Sequence, residues 1–286
     1  MQYVDFFGHK VSKLICGDNP FNGHSYITDY IPGKEMVDFH TEDKILEAMH
    51  RMEELGINTM LPLSDPYIIR ILQHYRNNGG KMNFIFQIYT PMMFAESFDV
   101  NMRLMNTVDP IGVYIPGSKV DANFELGNFD TILDITKKLR DNMDCKIGLG
   151  THYPKVIDYS EKEGWDHDFN VACMYNFRRG REGEKSGFLT GKSKSGITLV
   201  ESDREIMLNS LRNVKKPVIA FKIFGGGQFL VDEEESARRA LLYDIYNTVF
   251  TSLKPDDFAA IGIFQKYHDQ LGENVSVFNE WAESQK

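Results

Sequence analysis

Short apolar runs alternate with longer segments of helical periodicity along most of this chain. The clearest unit covers residues 145–176: an apolar run at 146–149, a helix that begins at Pro154 and stops at Gly164, and a second apolar run at 168–174. Two strands joined through a helix run parallel, and continuously apolar strands are typical of a sheet that is covered on both faces. The pattern predicts a repeated strand-helix unit.

Eight such strands can be placed along the chain. They fall at residues 14–17, 57–61, 84–88, 111–115, 146–149, 168–174, 218–223 and 259–263. Eight parallel strands favour a closed (β/α)8 TIM barrel over an open doubly wound sheet, and 286 residues are a usual length for one barrel. We therefore predict an α/β fold with a single barrel domain over residues 1–286, preceded within it by a β-hairpin at residues 1–12.

Polar residues follow most of these strands. In a parallel barrel all strands end on one face, and the loops that leave this face hold the active site. The rule selects Asp18, Asn19, His24, Asp65, Gln87, Tyr89, Thr151, His152, Tyr175, Asn176, Lys222 and Lys266. The cluster of Asp166, His167 and Asp168 precedes strand six, so we assign it to the opposite, stabilising face and not to a metal site.

The composition is that of an acidic globular protein. A net charge of −9 argues against a nucleic-acid surface, which needs a concentrated basic face. No apolar run approaches the roughly 18 residues of a membrane helix, and the first ten residues lack the apolar core of a signal peptide. We expect a cytoplasmic protein with no membrane contact, in which Cys16, Cys145 and Cys173 are buried free thiols within strands.

The longest predicted loop, residues 177–199, lies on the functional face and is locally positive. It holds Arg178, Arg179, Arg181, Lys185, Lys192 and Lys194 against Glu182 and Glu184. Such a loop would draw an anion toward the barrel mouth, and its four glycines would let it move as a lid. The alternative is a solvated loop whose charge has no role.

Lys222 ends strand seven and is followed by a run of glycines. A lysine at a barrel mouth offers three donors to an anion or, when desolvated, a nucleophilic amine. Gly225 and Gly226 would expose backbone N–H groups, which suits a phosphate. In the alternative reading Lys222 pairs with a buried carboxylate and the glycines only turn the chain.

His152 follows strand five and is a candidate general acid or base, because imidazole titrates near neutral pH. It could instead hold the loop of Tyr175 and Asn176 by a hydrogen bond. Asp18, Asn19 and His24 after strand one add a carboxylate, an amide and a second imidazole. Together with His152 they have the donor types of a divalent metal site, but their spacing does not demand one, so we predict no metal.

Several motifs resemble aldo-keto reductase barrels in their order along the chain. They are VSKLICGDNPFNG at 11–23, GLGTHYPKVI at 148–157, MYN at 174–176, PVIAFKIFGGG at 217–227 and IGIFQKYHDQLGENV at 261–275. The DNPF, GTHYP, MYN and AFKI signatures are similar, more closely, to a group of bacterial barrel proteins of unassigned function. The resemblance implies a (β/α)8 barrel, a hairpin that closes its lower end, and an NADP-type cofactor site near strands seven and eight.

The same resemblance shows departures at the catalytic positions. The family's Asp, Tyr, Lys and His correspond here to Leu61, Tyr67, Gln87, and Gly117 or the neighbouring Pro116. The groups that grip the nicotinamide amide in the family correspond to Gly150 with Thr151 and to Ala172. The resemblance therefore implies a redox scaffold without its usual proton relay.

The cofactor end keeps more of the family pattern. Phe221 is a counterpart of the aromatic that stacks on nicotinamide, and Lys222 enters the space of a pyrophosphate. The resemblance assigns the remaining cofactor contacts to Gly225, Gly226, Lys266, Gln270 and Asn274, with Leu271 and Glu273 in the same pattern. This portion is compatible with an adenine nucleotide or with another phosphate.

Three functions follow from these residues. The first is an enzyme that acts on a small polar, anionic or sugar-like substrate, with His152 and Asp18 in acid-base roles, Lys222 holding negative charge, and substrate contacts from Asn19, His24, Gln87, Tyr89, Tyr175 and Asn176. The second is an NAD(P)H-dependent carbonyl reductase whose rearranged relay uses Tyr89 or His152. The third is a small-molecule binding barrel without chemistry. Pairing of the outer helices into a homo-oligomer is left open.

Overall fold

The computed structural model describes residues 1–176, 199–231 and 233–286. The chain opens with an antiparallel hairpin of β1 (Tyr3–Phe6) and β2 (His9–Ser12). Its two-residue turn needs positive φ at both positions to match the twist of the strands. Phe7 has φ 53° and Gly8 φ 90°. The predicted N-terminal hairpin is confirmed.

A closed barrel of eight parallel strands forms the centre of the molecule. The strands are β3 (Leu14–Gly17), β4 (Thr59–Leu61), β5 (Asn83–Gln87), β6 (Gly112–Ile115), β7 (Lys146–Thr151), β8 (Phe169–Cys173), β9 (Val218–Phe221) and β10 (Phe258–Ile261). Each strand pairs with its neighbours in sequence, and β10 closes the ring against β3. The predicted (β/α)8 TIM barrel is confirmed.

Helices surround the barrel. They are α1 (Gly33–Phe39), α2 (Glu42–Glu54), α3 (Pro66–Asn77), α4 (Ala95–Asn106), α5 (Gly117–Leu126), α6 (Phe129–Asn142), α7 (Pro154–Lys162), α8 (Ser202–Leu211), α9 (Glu235–Ser252) and α10 (Gln270–Ser284). Asp65 caps α3, since its side chain accepts from the N–H of Tyr67 at 2.8 Å. The sequence pattern does not predict α1, α5 or α8. It predicts the last helix at about residues 267–275, whereas α10 extends to Ser284.

Two apolar layers hold the barrel together. One lies between the strands and the helices, and the other fills the barrel interior. Phe6 of the hairpin enters the interior and packs edge-on against Phe169 and Phe258, at centroid distances of 5.2 and 5.5 Å. Both rings belong to the first residue of their strand, so the hairpin closes the amino-terminal end of the barrel, as the family resemblance implied.

A glycine in β7 makes room for this interior packing. A Cβ atom on Gly148 would lie 2.4 Å from the Phe169 ring, which is too close for any non-bonded pair of carbon atoms. The missing side chain lets the ring lie across the barrel. The amino-terminal half of the interior is thereby filled with aromatic groups, and open space is left toward the carboxyl ends of the strands.

The cysteines and helices agree with most of the sequence expectations. Cys16 and Cys173 are buried free thiols in β3 and β8. Cys145 is a free thiol that is only half-buried and lies just before β7, so its expected place within a strand was wrong. Of the helices in the described ranges, none combines the length and the apolar character needed to cross a membrane.

Candidate functional site

A cavity of about 620 Å³ opens at the carboxyl ends of the barrel strands. Its inner wall is polar and holds Asp18, Asn19, His24, Gln87, Tyr114, His152 and Lys222. Its outer wall is largely apolar, with Tyr26, Ile27, Ile31, Leu230, Val231 and Leu242. This volume lies within the range of small-molecule sites, and a few convergent polar groups in an apolar cleft are typical of them.

His152 is held by a buried carboxylate. Its ring nitrogen Nδ1 lies 2.9 Å from Oδ2 of Asp121, and its backbone N–H donates to the same oxygen at 3.0 Å. The hydroxyl of Thr151 donates to the other oxygen of this carboxylate. Asp121 comes from α5 and is fully buried, whereas His152 lines the cavity. The three hydrogen bonds fix the direction of the imidazole.

The environment favours a neutral imidazole. Burial lowers the pKa of His152, and the positive charge of Lys222 acts in the same direction, while Asp121 opposes both. With Nδ1–H donated to Asp121, the other ring nitrogen is the atom that can accept a proton. A buried carboxylate that orients a histidine is a recurring arrangement in acid-base catalysis.

Lys222 has an unusual backbone. Its φ of 57° lies in the left-handed region, which costs a residue with a Cβ atom about 1 kcal/mol or more. Its ammonium lies 4.5 Å from the ring centroid of Tyr26 and 4.7 Å from that of Phe221. The Phe221 ring also meets the His152 ring, at 5.8 Å. The strained turn therefore holds a cation beside the imidazole.

Asp18 is a buried carboxyl at the end of β3. Its Oδ2 accepts from the N–H of Leu63 at 2.7 Å and from the amide of Asn22 at 2.8 Å. Burial raises its pKa to about 6, against the lowering effect of these hydrogen bonds. A carboxyl that titrates near neutral pH in a cavity is a candidate for proton transfer.

Gln87 and Tyr114 form a second polar pair on the inner wall. The Tyr114 hydroxyl donates to Oε1 of Gln87 at 2.8 Å. Burial, and after it the nearby Asp18, raise the pKa of Tyr114, so the phenol stays protonated. The two side chains come from neighbouring strands, at residues that pair with each other in the barrel. They can donate and accept hydrogen bonds toward a polar substrate.

The glycine run after Lys222 is shaped by its neighbours. Gly225, Gly226 and Gly227 all have positive φ. A Cβ atom on Gly226 would lie 2.7 Å from Tyr26, and the N–H of Gly225 donates to the Lys222 carbonyl at 2.8 Å. The run makes a tight turn under Tyr26. Its predicted use as a phosphate cradle stays a prediction.

The outer end of the cavity lies near α9 and α10. Asn274 lines it, but its amide is bonded on both sides: Oδ1 accepts from Tyr246 and Nδ2 donates to the Gln270 carbonyl, each at 2.7 Å. Gln270 also lines the cavity, and its Oε1 accepts from the N–H of Phe264 at 2.7 Å. These amides therefore brace the segment that follows β10.

A charged pair borders these amides. Arg238 and Glu273 form a close ion pair, with Nε 3.0 Å from each carboxylate oxygen. Both side chains line the cavity.

Some predicted site residues lie off the cavity wall in the described part of the chain. The hydroxyl of Tyr175 donates to the Ile223 carbonyl at 3.1 Å, and the backbone N–H of Asn176 donates to Asp203 at 3.2 Å. Tyr89 donates its backbone N–H to Ser64 at 2.8 Å, and Gly225 packs under Phe229. Each of these contacts serves a loop. The cavity brings together Asp18, Asn19, His24, Gln87, His152, Phe221, Lys222, Gly226, Gln270 and Asn274.

Lys266 lies on the outer rim. Its ammonium is 2.6 Å from Glu35 of α1, and the Tyr267 hydroxyl also donates to that carboxylate. The positive loop predicted at residues 177–199 falls outside the described residues, except for Leu199. Across the described ranges no group of three His, Cys, Asp or Glu side chains could hold a metal ion.

Asp121, Tyr114 and Tyr26 were not found from the sequence. Asp121 lies in α5, and 31 residues separate it from its partner. Tyr114 stood inside an apolar strand and was counted as core. One signal in the sequence could have indicated Asp121: it lies about one helical turn into the segment that follows a predicted strand. An acid that is buried there needs a polar partner.

Comparison with known proteins concerns the fold. No protein-family model matches the chain, and no curated protein does. Solved structures that superpose include the holo form of aldo-keto reductase AKR11C1 from Bacillus halodurans, with 10% identity, a TM-score of 0.59 and coverage of 96% of this chain and 89% of that one. A mutant of Gox0644 in complex with NADPH gives 10% identity, a TM-score of 0.56 and coverage of 97% and 88%. The aldo-keto reductase-like barrel fold is confirmed.

The same fold serves other reactions. Dihydropteroate synthase from Yersinia pestis, in complex with a sulfonamide drug, superposes with 9% identity and a TM-score of 0.52 over 99% of both chains. Identities near 10% show the fold alone, because one barrel architecture hosts many chemistries. The side chains in the cavity must therefore decide the function.

A nicotinamide nucleotide does not fit these side chains. The Lys222 ammonium lies on the Phe221 ring, so it occupies a face on which a nicotinamide would stack and sets a positive charge against the oxidised ring. At the other end the Asn274 amide already has protein partners at both atoms. No step is therefore derived through such a cofactor.

Proposed function

We propose that this protein is an enzyme that carries out acid-base chemistry on a small polar, anionic substrate in the barrel cavity. The observation that carries the proposal is the Asp121–His152 pair, whose imidazole shares the cavity with Lys222. Of the family's proton-relay positions, Leu61 is apolar and Tyr67 is half exposed on α3. The residues that remain are suited to moving protons and holding negative charge.

His152 is the proton acceptor in this proposal. Its neutral ring receives a proton from the substrate, and Asp121 stabilises the imidazolium that forms. The carboxylate also keeps the ring in one orientation. Substrate binding therefore does not have to fix the ring, and it avoids the loss of side-chain entropy that a mobile surface histidine would undergo.

Lys222 neutralises charge on the substrate. Its ammonium is held between two aromatic rings, where water screens it little, so its attraction for an anion is stronger than that of a surface lysine. Burial is the main cause that lowers the pKa of both His24 and His152, and the positive charge of Lys222 acts in the same direction. Gln87 and Tyr114 orient the polar groups of the substrate.

The first test asks whether His152 is needed for turnover. A small-molecule cell extract is incubated with the wild-type protein and with His152→Gln, and the compounds that are consumed are identified by mass spectrometry. Removal of a general base costs about 10²- to 10⁴-fold, so the variant should consume the same compound at least 100-fold more slowly. His74→Gln, on the exposed side of α3, is the matched control. Equal consumption by wild type and His152→Gln would contradict the proposal.

The second test concerns the anion. Lys222→Met should weaken binding of the identified compound by about 10- to 100-fold, because a charged hydrogen bond contributes about 1.5–3 kcal/mol. Lys266→Met is the control, since that lysine is paired with Glu35 outside the cavity. Titration calorimetry gives both affinities. Equal affinities of the wild type and Lys222→Met would show that this lysine does not hold the anion. Unchanged affinity in both Lys222→Met and His152→Gln, together with unchanged turnover, would favour a binding protein without chemistry at these residues.

A second candidate is an NAD(P)H-dependent carbonyl reductase with a rearranged relay. The barrel fold that this chain shares with aldo-keto reductases favours it, whereas the Lys222 ammonium on the Phe221 ring speaks against it. The Gox0644 mutant with the same fold is in complex with NADPH. A titration of NADPH followed by its fluorescence separates the two functions. Micromolar binding would replace the first proposal, and no binding at millimolar NADPH would exclude the second.

A further inference from the structure

Two proton-transfer groups face each other across the barrel mouth. Asp18 follows β3 and His152 follows β7. In the closed ring these two strands are four steps apart in either direction, so their ends lie on opposite sides of the mouth. Both side chains line the same cavity. A small substrate between them would meet an acid or base on each of its faces.

Asp18 has one oxygen committed to the fold and one directed to the cavity. Oδ2 receives both hydrogen bonds, from Leu63 and from Asn22. Among the described residues, no other residue donates to Oδ1, and the side chain lines the cavity. An oxygen on the cavity wall that is not bonded to another residue is available to a ligand.

We infer that the cavity moves a proton from one face of a substrate carbon to the other, as an epimerase or racemase that acts next to a carbonyl group, with Asp18 and His152 as its two bases. The inference rests on the proposed function and deepens it. The substrate class is a small hydroxy-carbonyl compound that carries a carboxylate or phosphate, which Lys222 would hold.

The step balances without a cofactor. One base, deprotonated, takes the proton from the carbon beside the carbonyl. The C–H electron pair becomes the new C=C bond, and the carbonyl π pair moves to the oxygen to give an enolate. The opposite group, protonated, then gives its proton to the same carbon from the other face, and the carbonyl returns. Nothing is oxidised or reduced, and the two groups have exchanged protonation states.

The polar pair on the inner wall suits the enolate. Gln87 and Tyr114 come from β5 and β6, which lie between β3 and β7 in the ring. The Tyr114 hydroxyl donates to Oε1 of Gln87 and so orients that amide, whose N–H groups can donate to an oxygen that gains charge in the transition state. A preorganised donor in a site shielded from water stabilises that charge strongly.

Burial shifts the pKa values of the two bases in opposite directions. It raises the pKa of Asp18 to about 6 and lowers that of His152 from 6.5. The charged and titratable neighbours are Asp65 and Tyr114 for Asp18, and Asp121 and Lys222 for His152. A carboxyl whose pKa is raised and an imidazole whose pKa is lowered can each serve as acid and base in turn, which reaction in both directions requires.

The test is a proton-exchange experiment in D2O. The probes are glyceraldehyde 3-phosphate, ribose 5-phosphate, glucuronate and 2-hydroxy-3-oxopropanoate, followed by NMR and by separation of stereoisomers. The wild type should interconvert one probe with its epimer or enantiomer and place one deuterium on the inverted carbon. Asp18→Asn and His152→Gln should each slow inversion at least 100-fold, yet each should still exchange the proton of one isomer, the one that faces the base that remains.

The controls separate this inference from the proposed function. Asp130→Asn changes an exposed acid in the first turn of α6, away from the cavity, and it should invert the probe within twofold of the wild-type rate. Conversion of a probe without deuterium on carbon overturns the two-base inference and leaves the acid-base enzyme. If the protein converts none of the probes, the two-base inference is overturned. The extract experiment tests the proposed acid-base function independently of this result. Circular dichroism checks that each variant is folded. If a variant does not fold, the deuterium labelling by the wild-type protein alone decides the two-base inference.

Discussion

Two buried histidines lie at opposite ends of the same barrel, and their surroundings differ. His152 is 7% exposed and His167 is 4% exposed, so burial does not distinguish them. His152 is bonded to a carboxylate and lines the cavity. His167 lies just before β8, where it contacts Asn170 at 3.1 Å and the Lys216 ammonium at 3.3 Å.

The surroundings of His152 and His167 show which features make a buried histidine a candidate for catalysis. Both rings are kept neutral by burial, and for His167 burial followed by Lys216 lowers the pKa to about 4. At the amino-terminal end, however, the partners of the ring are other parts of the fold. At the carboxyl-terminal end the ring is held by a carboxylate and lines the cavity. Contact with the cavity, more than acidity, separates the two sites.

The largest expected effect tests this contrast directly. His152→Gln should lower turnover by about 10²- to 10⁴-fold while the melting temperature changes by only a few degrees. His167→Gln should do the reverse, with turnover within twofold of wild type and a lower melting temperature, because a buried hydrogen-bonded ring is lost. Kinetics and thermal unfolding of both variants check the pair. Equal losses of turnover would show that the two ends are not functionally distinct.

The pH dependence of stability sharpens the comparison. His167 has an ordinary pKa of 6.5 in the unfolded chain and about 4 in the fold, so the unfolded chain binds a proton first as the pH falls. Its contribution is fully present above pH 6.5 and is lost between pH 6.5 and 4. The loss amounts to about 3 kcal/mol. Urea unfolding across this window should give a steeper decline for the wild type than for His167→Gln, and parallel curves would contradict the assignment.

Asp168 provides a smaller test of the amino-terminal end. Its Oδ2 accepts from the N–H of Ile147 at 2.7 Å and pairs with Arg140 at 2.5 Å. Asp168→Asn should cost about 2 kcal/mol and leave turnover unchanged. The matched control is Asp166→Asn, which removes an exposed partner of the same arginine at 3.2 Å and should cost less than about 0.5 kcal/mol. A loss of turnover in Asp168→Asn would contradict the assignment of the active site to the carboxyl-terminal end of the barrel.

The smallest effect has the opposite sign. Because burial raises the pKa of Asp18 to about 6, the ionised carboxyl destabilises the fold above that pH, and the penalty vanishes below about pH 3.8. Asn at this position can keep the contacts with Leu63 and Asn22 through its amide oxygen. Asp18→Asn should therefore raise the free energy of unfolding at pH 8, and it should raise it much less at pH 4. Denaturant unfolding at the two pH values measures it, and a loss of stability at pH 8 would contradict a strained carboxylate.

The strands were predictable because burial on both faces makes each of them a continuous apolar run. Three helices, α1, α5 and α8, were not. In α5, Pro116 and Gly117 precede a mixed polar segment with little amphipathic character, so the helix gave no clear pattern and the partner of His152 was hidden with it. Tyr175 was selected because it follows a strand, but its hydroxyl turns to a backbone carbonyl. Position along a strand predicts which end a residue occupies and not where its side chain points.

The site itself was predictable only in part. His152, Asp18 and Lys222 were found by their place after strands, and the cavity contains all three. The left-handed backbone of Lys222 was not, because a lysine gives no sign of positive φ in the sequence. Pairings across many residues, such as Tyr114 with Gln87, depend on barrel register, which the apolar pattern does not fix.

At the left-handed turn of Lys222, selection for stability and selection for activity should favour different residues. Glycine or asparagine would adopt that backbone with less strain, so a randomised library screened for heat resistance alone should enrich small residues there. A library screened for growth that depends on the reaction should return lysine at the same codon. At this position, a substitution that makes the fold more stable should therefore abolish the activity.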